Sequence, residues 1–307
     1  MESKIFRPKV LKKGDKVFLT APSSPVYDFT RVDFAAGYLE NMGFVVEEGA
    51  SCRTSYGYLA GDDDLRADDI NYAFASKDID GIFCLRGGYG AARLLEKIDY
   101  SMIKSNPKFF CGYSDITALH TAINQCAGLM TFHTPVVGEA NFSAADAYTI
   151  CHMNRYISND DVFGKLFNPP GHDWKFINPG KATGILTGGN LSVLASLVGT
   201  AYEIDTVDKI VFIEEVGEKP YRIDRMLNQL KMAGKFENCS GVVFGDFTDC
   251  NPVDERRSLT ILQIIHNLKL GVPALYNFRC GHCLPTASLP MGATARLCSA
   301  ENCFSII

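Results

Sequence analysis

The apolar positions of this chain fall into short runs of strand length, separated by segments in which apolar residues recur at helical spacing. "DKVFLTAPSSP" (15–25) reads as a buried strand running into a Pro/Ser turn. "RVDFAAGYLENMG" (31–43) carries a helical apolar period and stops at Gly43, a residue suited to ending a helix. "FVVEEGA" (44–50) is a second strand, and "DDDLRADDINYAFAS" (62–76) is an amphipathic helix opened by acids. "DGIFCLRGGYGAARLLEKI" (80–98) reads as strand, glycine turn and helix, and "KFFCGYSDITALHTAINQC" (108–126) repeats that scheme. Strands alternating with helices predict an α/β fold with a mostly parallel sheet covered on both faces.

The stretch "FGKLFNPPGHDWKFINPGK" (163–181) breaks the pattern. It is rich in Pro and Gly, contains the single Trp of the chain, Trp174, and predicts a linker. The expected organisation is an N-terminal domain over 1–162, a linker over 163–181 and a C-terminal domain over 182–307. The last region alternates again: "GILTGGNLSVLASLVGT", a strand "KIVFIEEVGE" (209–218), a helix "YRIDRMLNQLKMAG" (221–234), a strand "CSGVVFGDF" (239–247), a helix "RSLTILQIIHNLKL" (257–270) and short β-like pieces. This predicts a second, mixed domain.

Composition narrows the function classes. A chain of 307 residues, 47% hydrophobic and 21% charged, suits a soluble globular protein of one large domain or two ordinary ones. A net charge of -5 with no block of Lys or Arg argues against a nucleic-acid partner. No apolar run reaches the length of a membrane span or a secretory signal, so the expected location is the cytoplasm and no membrane partner is expected. The 11 cysteines are then expected as reduced thiols, with Cys84 and Cys111 in apolar runs as small core residues.

Candidate chemistry begins at Ser114, which follows an apolar strand, has Gly112 two residues before it, and precedes a helix. That is the layout of a nucleophile elbow, with Asp115 offering a backbone N–H to an oxyanion. The second glycine of that motif is replaced by Ile116, and Ser114 as a plain helix cap stands equally open. A serine nucleophile needs a base and an orienting acid. Of the six histidines, His120 and His266 lie inside helices, His133 precedes a Thr-Pro turn, and His282 lies in a Gly/Pro/Cys-rich loop that makes it the best base by context. For the acid, the strand "KIVFIEEVGE" ends in Glu214-Glu215, which strand alternation points to opposite faces, so only one can reach a given histidine. "RGGYG" (86–90) lacks nucleotide-binding spacing and suits an oxyanion or carboxylate turn, with Arg86 open between a substrate carboxylate and a structural salt bridge. Cys280-Gly281-His282-Cys283 spells a dithiol redox motif, but the following "LPTASLPMGA" is a poor helix, and no second Cys/His pair at suitable spacing completes a metal site.

Taken together, "TAPSSP", "GIFCLRGGYGAARLLEKIDY", "FCGYSDITALHTA", "GILTGGNLSVLASLVGT", "VFIEEVGEKPYRIDRMLNQL" and "FRCGHCLPTASLPMGATARL" resemble the LD-carboxypeptidase family of serine peptidases, in the same order and over nearly the whole chain. The resemblance implies a glutamine-amidotransferase-like (Rossmann-like) N-terminal α/β domain carrying the nucleophile Ser114. It implies a smaller, swivelling C-terminal β/α domain carrying Glu214 and His282, with the neighbouring cysteines incidental. It further implies removal of terminal D-Ala from murein tetrapeptides in the cytoplasm, by a homodimer with no metal or cofactor. The N–H groups of Asp115 and Gly88 (or Gly87) are then the expected oxyanion donors, with Arg86 and Gly87 on the substrate side. Cysteines flank His282, Ala91-Ala92 follow the glycine turn, and "TFHTPVV" stands where the family more often has His-Gly-Pro. Rival readings are a microcin C resistance-like peptidase cleaving aminoacyl-adenylate peptides, with Trp174 and Phe176 stacking on the base, a non-catalytic muropeptide-binding protein, and a thiol oxidoreductase.

Overall fold

The computed structural model describes residues 5–139, 142–158 and 163–307. The chain divides into two compact units, Met1–Asp161 with Ser288–Gly292 and Val162–Ala287 with Ala293–Ile307. The expected end of the N-terminal domain, at residue 162, lies outside the described residues.

In the first unit the apolar runs become strands β1 (Lys16–Thr20), β2 (Val45–Glu48), β3 (Gly81–Cys84), β4 (Phe109–Gly112) and β5 (Thr131–His133). They are parallel throughout, in the order β5-β4-β3-β1-β2. Helices α1 (Thr30–Asn41), α2 (Asp63–Ala75), α3 (Tyr100–Ser105), α4 (Thr117–Ala122) and α5 (Ala147–Ser158) belong to the same unit. Asp62 caps α2 by accepting the Leu65 N–H at 2.8 Å, and Asp63 and Asp64 add negative charge where the helix dipole favours it. Phe109 stacks on Phe132 at a centroid distance of 4.5 Å and meets Phe83 in a tilted contact at 5.5 Å, so aromatic packing runs across β3, β4 and β5. Cys84 and Cys111 are buried in these strands, as their apolar context predicts. After the glycine turn the predicted helix is a run of 3-10 turns, Ala91–Lys97, entered from Gly90, which has no side chain to cap it.

The second unit holds β6 (Gly164–Lys165), β7 (Lys175–Asn178), β8 (Lys181–Asn190), α6 (Leu191–Leu197), β9 (Lys209–Val216), α7 (Pro220–Met232), β10 (Gly241–Thr248), α8 (Ile261–Asn267) and β11 (Ala274–Tyr276). β8, β9, β10 and β11 are parallel neighbours, and the antiparallel hairpin β13 (Thr294–Cys298) and β14 (Cys303–Ile306) extends the β8 edge. α8 begins inside its predicted range because Thr260 and Gln263 form a reciprocal capping box. Leu191, Ile213, Leu227, Phe244 and Ile264 are fully buried in one core between this sheet and its helices.

Two expectations of the domain plan are corrected. The 163–181 stretch is not a bare linker: β6 and β7 are edge strands of the second sheet. Side-chain amides dock it, with Asn178 Nδ2 donating to the carbonyls of Leu270 and Val272 and Asn168 Nδ2 to that of Asn277. Nor is 182–307 one continuous piece, because Leu289–Met291, β12, pairs antiparallel with β5 as the edge of the first sheet. Pro290 fits there, since an edge strand spares it a missing ladder donor. No helix among the described residues is long and apolar enough to cross a membrane.

Candidate active site

In the first sheet the chain runs from β1 outward to β2 and returns to β3 on the other side of β1. The loops leaving the carboxyl ends of β1 and β3 therefore part at a switch point, where open α/β sheets hold their ligands. These loops are Ala21–Pro25 and Leu85–Gly90, the two sequence motifs "TAPSSP" and "RGGYG". The loop after β4 ends at the same edge and carries Ser114.

Ser114 has φ 63°, in the left-handed region that a residue with a β-carbon rarely adopts. It is half-buried and opens a short 3-10 turn, Ser114–Ile116, that leads into α4. No side-chain cap bond forms at either start, so Ser114 does not act as a helix cap. Gly87 lies against it: a β-carbon on Gly87 would sit 2.7 Å from Ser114 Cβ and 3.0 Å from Oγ. Only a glycine lets the turn approach this closely.

The rest of the glycine turn is tied down. Ser24 N–H donates to Gly87 O at 3.4 Å, and Tyr89 N–H donates to Ser24 Oγ at 3.1 Å. The fully buried Arg66 donates to Pro22 O at 2.6 Å and to Gly90 O at 3.0 Å. Asp115 Oδ2 accepts from Ser23 Oγ at 2.6 Å and from Ala91 N–H at 2.7 Å. Burial pushes the Asp115 carboxyl up, opposed by these two hydrogen bonds and by the Arg66 charge. The N–H groups of Gly87 and Gly88 have no hydrogen-bond partner among the described residues. Arg86 forms no ion pair among the described residues; its Nη1 donates to Pro25 O at 3.0 Å and its buried Nε has no partner among them.

In the second unit Glu214 lies in β9 and His282 in the loop after β11. That loop follows β10, with Phe278 N–H on Phe244 O at 3.2 Å and Asp246 N–H on Cys280 O at 3.0 Å, where a β-bulge interrupts the β9–β10 register. Arg279 anchors it through an ion pair to Asp246 at 2.5 Å. His282 Nδ1 lies 2.8 Å from Glu214 Oε2. With the carboxylate oxygen as acceptor, Nδ1 is the donor, the tautomer in which Nε2 of a neutral ring carries the lone pair. Glu214 is fully buried, and its Oε1 has no partner among the described residues. Gly281, at φ 134°, makes the contact fit: a β-carbon there would lie 2.8 Å from Glu214 Oε2.

Glu215 points the other way. Its Oε2 accepts from Ser192 N–H and Oγ at 2.8 and 2.5 Å, and its Oε1 from Asn190 Nδ2 at 3.0 Å, at the start of α6. Burial raises its carboxyl, against the Ser192, Val216 and Asn190 hydrogen bonds. Both glutamates are buried. "TGGN" (187–190) is the end of β8, with Asn190 capping α6.

The other histidines fall elsewhere. His133 is buried in β5, and His120 is buried in α4 with Nε2 2.9 Å from Gly112 O. Cys280 and Cys283 are unbridged and buried, and burial pushes the first thiol well up and the second to about 12. A dithiol redox site needs a lowered thiol pKa, so the redox reading of this motif does not hold. No cluster of three metal-ligating side chains occurs among the described residues. Trp174 is engaged in packing, its Nε1 on Asn302 Oδ1 at 2.9 Å and its ring 5.9 Å from Phe278. The sequence reading passed over Ser23, Ser24, Arg66 and the Asp115 side chain. For the two serines the one signal is the polar "SS" at the end of an apolar strand; Arg66 and the Asp115 carboxylate carry none.

Comparison with known proteins agrees with this architecture. Residues 17–134 match the LD-carboxypeptidase N-terminal domain and residues 183–297 the LD-carboxypeptidase C-terminal domain. The chain is 41% identical over 302 residues to the probable murein peptide carboxypeptidase of Bacillus subtilis (strain 168), covering 97% of this chain and 93% of that protein. Its structure resembles muramoyltetrapeptide carboxypeptidase from Oxalobacter formigenes with a TM-score of 0.82 and 26% identity, over 95% of this chain and 97% of that one. It also shares the fold of MccF, solved in complex with glutamyl sulfamoyl guanosine, with a TM-score of 0.88 over 97% of both chains at 23% identity. With both domains matched in order and a relative aligned over nearly its full length, the chain belongs to the LD-carboxypeptidase family.

Proposed function

We propose that this protein is a serine L,D-carboxypeptidase that removes the terminal D-Ala from murein tetrapeptides, with Ser114 as nucleophile, His282 as base and Glu214 as its orienting acid. The observation that carries the reading is the backbone of Ser114, uncapped and strained at the carboxyl end of a parallel strand. The buried Glu214–His282 pair supplies the residue types such a serine requires. The murein substrate is supported by the likeness to murein peptide carboxypeptidases.

On this reading His282 Nε2 takes the Ser114 proton as Oγ attacks the L,D amide carbonyl. Glu214 holds the ring in that tautomer and stabilises its charged form. The N–H groups of Asp115 and of Gly88 or Gly87 receive the oxyanion. The amide nitrogen of D-Ala leaves with the proton from His282, and water, activated by the same histidine, hydrolyses the acyl-enzyme. Arg86 receives the substrate carboxylate, as a planar guanidinium suits. The enzyme acts in the cytoplasm on recycled muropeptides, as a homodimer, without a metal or cofactor.

The test is D-Ala release from L-Ala-γ-D-Glu-meso-diaminopimelate-D-Ala by wild type and Ser114→Ala. Release by wild type alone is expected. Release by both would remove Ser114 as nucleophile. Cleavage of an aminoacyl sulfamoyl adenylate instead of the tetrapeptide would move the substrate to the microcin branch.

A further inference from the structure

The glycine turn beside Ser114 is held by two buried charges of opposite sign. Arg66, from α2, takes its carbonyl side through Gly90 O, and ties the same turn to Pro22 O of the β1 loop. Asp115 takes its amide side through Ala91 N–H and the β1 loop through Ser23 Oγ, both on the single oxygen Oδ2. Ser24 then closes the mouth of the turn at Gly87 O and Tyr89 N–H. The backbone groups so fixed lie on either side of Gly88, and the N–H groups of Gly87 and Gly88 have no hydrogen-bond partner among the described residues. A buried carboxylate is costly to keep unless its hydrogen bonds are needed, and here those of Asp115 run to the loops around the nucleophile.

We propose that the Asp115 side chain is a positioning residue for the reaction: it locks the glycine turn onto Ser114, so that the Gly87 and Gly88 amides are preset for the oxyanion before substrate arrives. This rests on the serine-hydrolase reading above and deepens it. The residue thus acts twice, its backbone N–H beside the nucleophile and its carboxylate through the turn. Preset donors need no reorganisation as charge develops, which is where their effect on rate lies. Loosening the turn should therefore slow the chemical steps and leave ground-state binding nearly unchanged.

Asp115→Ala, Asp115→Asn and Ser23→Ala separate this from a structural role. An asparagine can still present its carbonyl oxygen to both donors, whereas alanine presents nothing. Asp115→Ala should lower kcat for D-Ala release by roughly a hundredfold with KM within about threefold, Ser23→Ala should lower it by about tenfold, and Asp115→Asn should recover most of the loss. The second readout is independent of the substrate: the rate at which a small alkyl fluorophosphonate modifies Ser114, counted per folded protein from intact mass. That reaction also places negative charge on an oxygen beside Ser114, so its rate should fall in the same order across the variants. Should wild type react with the probe but release no D-Ala, the murein reading fails and the probe rates still decide the role of Asp115. Asp115→Ala with kcat and probe rate within about threefold of wild type overturns the proposal. So does an equal loss in Asp115→Asn and Asp115→Ala, because then the hydrogen bonds are not what matters.

Discussion

The two compact units hold their candidate chemistry in opposite ways. In the first, Ser114 is a small neutral side chain placed by its backbone, at φ 63° and against a glycine. In the second, Glu214 sits in unstrained strand backbone and is placed by charge, buried and bonded to His282. Where backbone places a group, one added methyl nearby should do the damage. Where charge places it, an isosteric loss of charge should do as much.

The largest effect is expected from the second case. Glu214→Gln keeps the shape of the side chain but can turn an amide N–H toward His282 Nδ1, which forces the other tautomer and puts the hydrogen on Nε2. On the serine-hydrolase reading kcat should fall by about four orders of magnitude, as for the matching change in a Ser-His-Asp triad. Thermal unfolding should move little, because a neutral group replaces a buried carboxylate whose Oε1 has no partner among the described residues. A variant within tenfold of wild-type kcat would mean that this carboxylate does not orient the base.

Gly87→Ala tests the first case. Its new methyl would meet Ser114 Cβ at 2.7 Å, so either the serine or the turn must shift by several tenths of an ångström. A displacement of that order at a reacting atom is expected to cost about a hundredfold in kcat. Gly281→Ala, which presses on Glu214 Oε2, should be milder if the far end of a side chain yields more readily than backbone. Steady-state kinetics of the two alanine variants side by side measure that difference. A larger loss in Gly281→Ala would reverse the contrast drawn between the units.

The strands, the parallel character of the first sheet and the candidate residues are legible in the sequence because those rest on local pattern, whereas the order of the strands is not. Ser114 is legible as a strand-to-helix serine, but neither the missing cap bond nor the left-handed dihedral angle is carried by any local pattern. Glu214 and Glu215 looked alike, and alternation said only that they part; which one meets His282 depends on the path of the loop along β10. The linker expected at 163–181 was misread because Pro and Gly mark edge strands as well as loops, and its side-chain amides bond to residues about a hundred positions away. Arg66 was invisible for a related reason: in an acid-rich helix a lone arginine looks solvated, yet its partners Pro22 and Gly90 are distant in the chain.

Acid should separate the units further. Burial lowers His120 from the ordinary 6.5 to about 4, and His152 in α5 to about the same value with help from Arg155. Both belong to the first unit. Below pH 6.5 the unfolded chain takes up protons that the folded unit refuses, so stability is whole above that pH and falls toward pH 4. The loss from fully buried His120 alone amounts to roughly 3 kcal/mol at the low end. Denaturant unfolding at pH 7 and pH 5, followed by hydrogen exchange in each unit, should show the first unit loosening in acid. His120→Gln should flatten the slope, and an unchanged slope would place the acid sensitivity elsewhere.

The smallest effect is expected at the cysteines beside His282. Their thiols are protonated at neutral pH because burial holds Cys283 up at about 12 and Cys280 well above the usual range. The Cys283 hydrogen bond runs to Pro285 O at 3.4 Å, a bond that a serine hydroxyl also makes. Cys283→Ser should leave kcat within about twofold, since burial is lost for one sulfur and no reacting group changes. Iodoacetamide near neutral pH should label exposed Cys126 and Cys151 first and spare activity. If alkylation instead abolished activity in a variant lacking those two, and Cys283→Ser protected it, a thiol would belong to the working site, and His282 would be set by more than the buried charge of Glu214.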